Sequence, residues 1–224
     1  MCIRDRSTEP PEKWKNAVIT RDWRLINGEQ LYATKTDRAQ QNNVAEQNPE
    51  IVQRLRAEHE KWWQEAEHYF SEFSHITLGS EEENPTRLDA MDVMGDVVWN
   101  QNMVAAALAS SGRWNVFFEQ AGTYRFSLRR WPEELDLAID DALDVEETKQ
   151  LAPYMPKLLP SLISPTVARL EFFDCEYETK VDALDKEAVI EVKVEHTGKT
   201  TLEASFIDIH GEKTGAYYVY IQRI

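Results

Sequence analysis

The side chains with the clearest chemical potential are two adjacent arginines beside an indole, Arg129-Arg130-Trp131-Pro132, and a second indole followed by two amides, Trp99-Asn100-Gln101. A guanidinium pairs bidentately with planar or tetrahedral oxyanions. Arg129, Arg130 and Trp99 are therefore the candidate substrate-binding residues, placed at a pocket rim. The plainer use of the arginines is an ion pair between domains. Along a strand starting at Thr123, the pleat puts Tyr124, Phe126 and Leu128 on one face and Arg125, Ser127, Arg129 and Trp131 on the other. Arg130 then continues the apolar face, so it must reach the rim or find an acidic partner.

Other chemistry is sparse. The chain has no G-x-S-x-G, H-E-x-x-H, Walker or G-x-G-x-x-G motif. Its five histidines (His59, His68, His75, His196, His210) include no pair three or four residues apart, so no two share a helix face as ligands, and they read as lone surface residues. Glu81-Glu82-Glu83 and the trio Asp89, Asp92 and Asp96 are the dense carboxylate groups. Asp92-x-x-Gly95-Asp96 only loosely follows the alternating oxygen ligands of a calcium loop, and it reads as a solvated turn. Cys2 and Cys175 are a distant pair with no C-x-x-C spacing, and Cys175 reads as a free thiol within a strand. No catalytic residue and no metal ligand is assigned.

Charge narrows the partners. The 224 residues carry 40 acidic and 25 basic side chains, a net of −15. A phosphate-backbone ligand requires clustered Lys and Arg, so nucleic acid is excluded as a partner. No apolar run approaches the roughly 20 residues of a membrane-spanning helix, and no membrane partner is expected. The charge is uneven: residues 1–70 sum to −1 and residues 71–224 to −14. That break suggests two differently employed parts.

The elements that must position these residues also change near residue 70. Residues 17–26 are rich in β-branched and aromatic side chains and run into Asn27-Gly28, the strongest short hairpin signal, with 30–34 as the returning strand. A helix follows, with Asn48 as N-cap and Pro49 in its first turn. Its apolar stripe is Ile51, Leu55, Trp62, Ala66, Tyr69 and Phe73. A hairpin and one helix have a thin core and need a larger partner surface. Beyond residue 74, strands are expected at 75–78, 86–91, 114–119, 123–130, 167–173, 188–195, 200–208 and 216–222. This spacing implies an antiparallel β-sandwich of jelly-roll type, with an acidic, helix-prone insertion over 135–160. The fold class is α+β. Residues 1–13 read as an artefact and linker, because the first six resemble translated adapter read-through.

Several segments resemble, in order, the C-terminal end of formylglycine-dependent sulfatases. They are Val18 through Gly28 (VITRDWRLING), Gln30-Leu31-Tyr32, Asp37, Gln40 through Ala45, Asn48-Pro49-Glu50, Leu55-Arg56 and the paired Trp62-Trp63. Ala33 stands where that family often has Asp, and Arg38 replaces its usual Pro. The β-rich part resembles the tail of a bacterial subset of these enzymes through Ile76 to Ser80, Asn84-Pro85-Thr86, Trp99-Asn100-Gln101, Gly122 to Pro132 and Gly215 to Tyr220. It departs from that subset at Asp92-Val93-Met94, where Asp-Trp-His is usual.

The resemblance implies a parent enzyme that hydrolyses sulfate esters, of a sulfated carbohydrate or an aryl sulfate. Its formylglycine, made from the Cys or Ser of C-x-P-x-R or S-x-P-x-R, would attack sulfur beside a bound calcium. Neither Cys2 nor Cys175 fits that motif. On this expectation residues 14–73 are the sulfatase sheet-helix subdomain and residues 74–224 a β-sandwich domain. Both are accessory to a missing N-terminal catalytic domain and lack its active site. The alternative is a carbohydrate-binding sandwich without catalysis, in which exposed Trp99, Trp114 or Trp131 stacks on sugar rings. A third reading, a structural interaction domain, is favoured if those indoles are buried.

Overall fold

The computed structural model describes residues 11–70, 72–95, 98, 100–109, 112–144, 146 and 159–224. The stretch expected as one strand over 17–26 is two. Thr20 accepts a hydrogen bond from Trp23 N through its hydroxyl (3.0 Å) and turns the chain, giving β1 (Ala17–Ile19) and β2 (Trp23–Ile26). Asn27 and Gly28 both have positive φ, 52° and 71°, the twist a tight hairpin needs, and lead into β3 (Gln30–Ala33). The result is a three-stranded antiparallel sheet rather than a simple hairpin. Gly28 also lies against the Trp14 ring, where a Cβ would come within 2.7 Å.

Helix α1 (Pro49–Ala66) starts where Pro49 allows it to. Asn48 does not cap it through its side chain; the amide instead donates to Val44 O at 2.9 Å. Its buried stripe is Leu55, His59 and Trp63, a strict step of four. Of the expected stripe, Leu55 is buried and Ile51 packs beside it, whereas Trp62 and Tyr69 are exposed. His59 is likewise not a surface histidine. It is buried, stacked on Trp14 at 4.0 Å and on Trp63 at 5.8 Å. Leu25, Leu31 and Leu55 form the small core.

The chain divides into two compact units, one ending at Phe73 and the other spanning Ser74–Ile224. The second is built from two sheets. Its strands are β4 (Ile76–Leu78), β5 (Thr86–Leu88), β6 (Trp114–Phe118), β7 (Gly122–Arg129), β8 (Pro165–Phe172), β9 (Cys175–Lys180), β10 (Ala188–Val194), β11 (Gly198–Asp208), β12 (Lys213–Gly215) and β13 (Tyr218–Arg223). One sheet runs β10-β7-β13-β5; the other runs β4-β6-β11-β8-β9, with β12 added to β11. Strand β12 was not expected from the sequence, and β9 only as a strand without bounds around Cys175. Pairing is antiparallel except for β4 with β6, which is parallel.

Apolar residues at alternate positions of both sheets meet in one core, as in a β-sandwich. An aromatic cluster sits at its centre: Phe118 lies 5.2 Å from both Tyr124 and Phe172, and Phe126 lies 5.5 Å from Phe172. Each such ring contributes about 1.5–3 kcal/mol of burial. Half of the expected 135–160 insertion lies outside the described residues. Within its described part, 136–144 is irregular and tied down by Ile139 N donating to Asp185 O at 2.7 Å.

Candidate functional site

The pleat of β7 places its arginines as their spacing requires, but in the interior. Arg130 is 0% exposed. Instead of reaching the rim or an acidic side chain, its guanidinium donates to four backbone carbonyls: Asp141 (2.9 Å), Ser161 (2.7 Å), Ala105 (3.0 Å) and Val104 (3.3 Å). It also stacks on Trp131, with Cζ 4.5 Å from the ring centroid. Burial pushes its pKa down to about 10, against the opposing influence of Tyr217 and Asp141, so it stays charged at neutral pH. Two of those carbonyls belong to the short helix α2 (Gln101–Ala105).

Arg129 is also buried, donating from Nε to Trp131 O at 3.2 Å and lying 3.8 Å from Glu187, which accepts in addition from Ser127 Oγ. Both guanidiniums are therefore buried rather than presented at a rim. Trp99 lies outside the described residues.

A cleft of about 630 Å³ opens beside these residues. Its apolar wall comes from Met91, Pro132, Leu135 and Leu143, and its aromatic wall from Tyr218 and Trp131. Arg87, Asp89, Glu134, Asn100 and Gln101 supply the polar groups. The strands explain the arrangement. Arg87 of β5 pairs with Tyr220 of β13, and Tyr218 is two residues along the same face. The 3-10 turn Glu133–Leu135 then follows Pro132, its Glu133 N donating to Tyr220 Oη at 3.2 Å.

Arg87 lies 3.4 Å from Glu134 and 3.9 Å from Asp89. Burial opposes its charge, but Tyr220, Asp89 and Glu134 outweigh that and raise its pKa. Asp89 Oδ1 accepts from Met91 N at 2.8 Å, and Asp89 O accepts from Trp114 Nε1 at 2.8 Å. Trp114 and Trp131 are each 2% exposed. Sequence reasoning missed Arg87, Asp89, Glu134 and Tyr218 as neighbours. Only strand register brings residues about 130 positions apart into one wall, and no local motif encodes register.

Among the described residues the remaining motifs supply no second site, and Asp96 lies outside them. Glu81, Glu82 and Glu83 are exposed, and among the described residues no three His, Cys, Asp or Glu side chains gather closely enough to hold a metal. Cys175 is an exposed free thiol at the start of β9 and is followed by Glu-Tyr-Glu-Thr, so the residues present do not fit a formylglycine precursor.

No family model matches the chain, and no curated protein matches it significantly. Among solved structures it is similar to that of a ruminal GH26 endo-beta-1,4-mannanase, at 12% identity and a TM-score of 0.34, covering 63% of this chain and 26% of that one. The chain thus spans about a quarter of the mannanase structure's length, and a superposition this loose defines no shared fold.

Proposed function

We propose that this chain is an accessory, non-catalytic region of a formylglycine-dependent sulfatase. In this reading the β1-β2-β3 sheet with α1 is the small C-terminal subdomain, and the two-sheet body is a jelly-roll-like domain following it. The partner is the catalytic domain, which supplies formylglycine, calcium and the general acid for a sulfated carbohydrate or aryl sulfate. No catalytic step is routed through residues of this chain.

One observation carries the reading beyond the ordered motifs. The small unit buries few apolar side chains while Ile19, Trp62, Tyr69 and Phe73 remain exposed. Large exposed hydrophobics on a unit with so thin a core are what a subdomain packed on a larger neighbour would carry. A role for the body in gathering sulfated polymers is disfavoured by its charge of −14. The burial of Trp114 and Trp131 removes both as open sugar-stacking platforms.

The test is the coding sequence upstream of Ser7, read in frame, together with an assay of the chain itself. An in-frame C-x-P-x-R or S-x-P-x-R motif upstream, and no hydrolysis of a chromogenic aryl sulfate by the purified chain with calcium, is the expected result. An in-frame stop with no such motif before it, or turnover by the chain alone, overturns the proposal.

A further inference from the structure

We propose that the cleft between β5, β13 and the Pro132–Leu135 turn is a binding site for an uncharged, hydroxyl-rich ring, that is, a neutral saccharide unit. This rests on the cleft alone and stands whether or not the chain serves a sulfatase.

Size and lining come first. At about 630 Å³ the cleft falls within the roughly 300–1,000 Å³ of small-molecule sites. Its walls combine apolar surface with a few polar groups, the composition that fixes the orientation of a ligand having both C–H faces and hydroxyls. Met91 and Leu135 stay largely exposed and Tyr218 is half-buried, so these three can meet the faces of a ring. Gln101 and Glu134 are exposed beside them and offer hydrogen-bond donors and acceptors. Burial, reinforced by Asp89 and Tyr220, raises the pKa of Tyr218, so its phenol remains a donor at neutral pH.

Charge selects against the alternatives. Among the described residues that line the cleft Arg87 is the sole Lys or Arg, and it already lies within 4 Å of two carboxylates. A sulfate or carboxylate ligand would have to displace Asp89 or Glu134 and then face the other. A wholly apolar ligand would bury Asp89, Gln101 and Glu134 without replacing their water. Hydroxyls can hydrogen-bond to both carboxylates and amide while leaving the Arg87 pairs intact.

Affinity gel electrophoresis of the full chain tests this, using gels cast with neutral glucan, galactan, mannan or xylan and, in parallel, with dextran sulfate or chitosan. At least one neutral polysaccharide should retard the chain, whereas dextran sulfate and chitosan should not. Gln101→Ala and Glu134→Ala alter exposed side chains and should leave the fold intact. Each should weaken retardation up to about tenfold, the upper end for one lost hydrogen bond. Tyr218→Phe should keep the ring contact and weaken binding less than Tyr218→Ala. Absence of retardation by every neutral polymer, equal or stronger retardation by dextran sulfate or chitosan, or retardation unchanged in the Gln101 and Glu134 variants would each overturn the proposal.

Discussion

Arg130 shows how a residue read as an anion grip becomes a structural bolt. Its place on the apolar face of β7 was legible from the alternation, as was its need for a partner. The partners were not legible, because main-chain carbonyls leave no trace in residue types. Replacing it by Met would leave several buried acceptors unpaired, and we expect a loss of about 3–5 kcal/mol in urea unfolding. Arg130→Lys should recover only part of this, since an ammonium cannot span the same fork. Full stability in the Met variant would show that the carbonyls find other donors.

His59 makes the opposite case, a group buried with both ring nitrogens unpartnered. Burial lowers its pKa, Glu60 works against that and Lys13 adds to it. Its folded value therefore lies below the unfolded value of about 6.5. The folded state then binds fewer protons than the unfolded state between those two values. Stability is fully present above about pH 6.5 and falls as the pH drops toward the folded value. Unfolding followed by tryptophan fluorescence should be easier at pH 5.5 than at pH 7.5, and His59→Phe should flatten that difference. A variant with the wild-type pH dependence would acquit the histidine.

Strand positions were the most legible part of the fold. Eight stretches beyond residue 74 were picked out as short β-segments between turn signals, and each overlaps an observed strand. Two strands were not delimited by the sequence, for different physical reasons. In β9 the sequence Cys-Glu-Tyr-Glu-Thr-Lys places only Tyr177 against the core of an edge strand, so the apolar signal is too weak. In β12, three residues are held by pairing with β11 and not by their own side chains. The parallel β4–β6 pair was equally hidden, because alternation does not encode strand direction.

The contact between β4 and β7 yields a further test. Gly79, at φ +75°, leaves the space taken by the Tyr124 hydroxyl, which donates to Gln120 O at 2.6 Å. An added Cβ would sit 2.0 Å from that oxygen. Gly79→Ala combines a disfavoured φ with a clash in the core, and we expect it to destabilise by more than about 1 kcal/mol. A midpoint within error of the wild type would mean that Tyr124 moves aside freely.

At the scale of the whole molecule, the two compact units have very different cores. The one ending at Phe73 centres on three buried leucines, while the other gathers apolar side chains from two sheets. Calorimetry should therefore show two transitions, the lower belonging to the small unit. His59→Phe should shift the lower one alone and Gly79→Ala the higher one alone. A single transition moved by both variants would refute this independence. The cleft was the least legible feature, because Arg87, Gln101, Glu134 and Tyr218 come from four separate stretches, three of them joined only by the pairing of β5, β13 and β7.

Strand β13, last in chain order, is an interior strand flanked by β7 and β5, and β5 has no other neighbour in its sheet. During synthesis, the earlier strands of that sheet must therefore wait with a gap between them until residues 218–223 emerge. For that interval the nascent body exposes two unfilled strand edges, a window in which chaperones or aggregation would compete with closure.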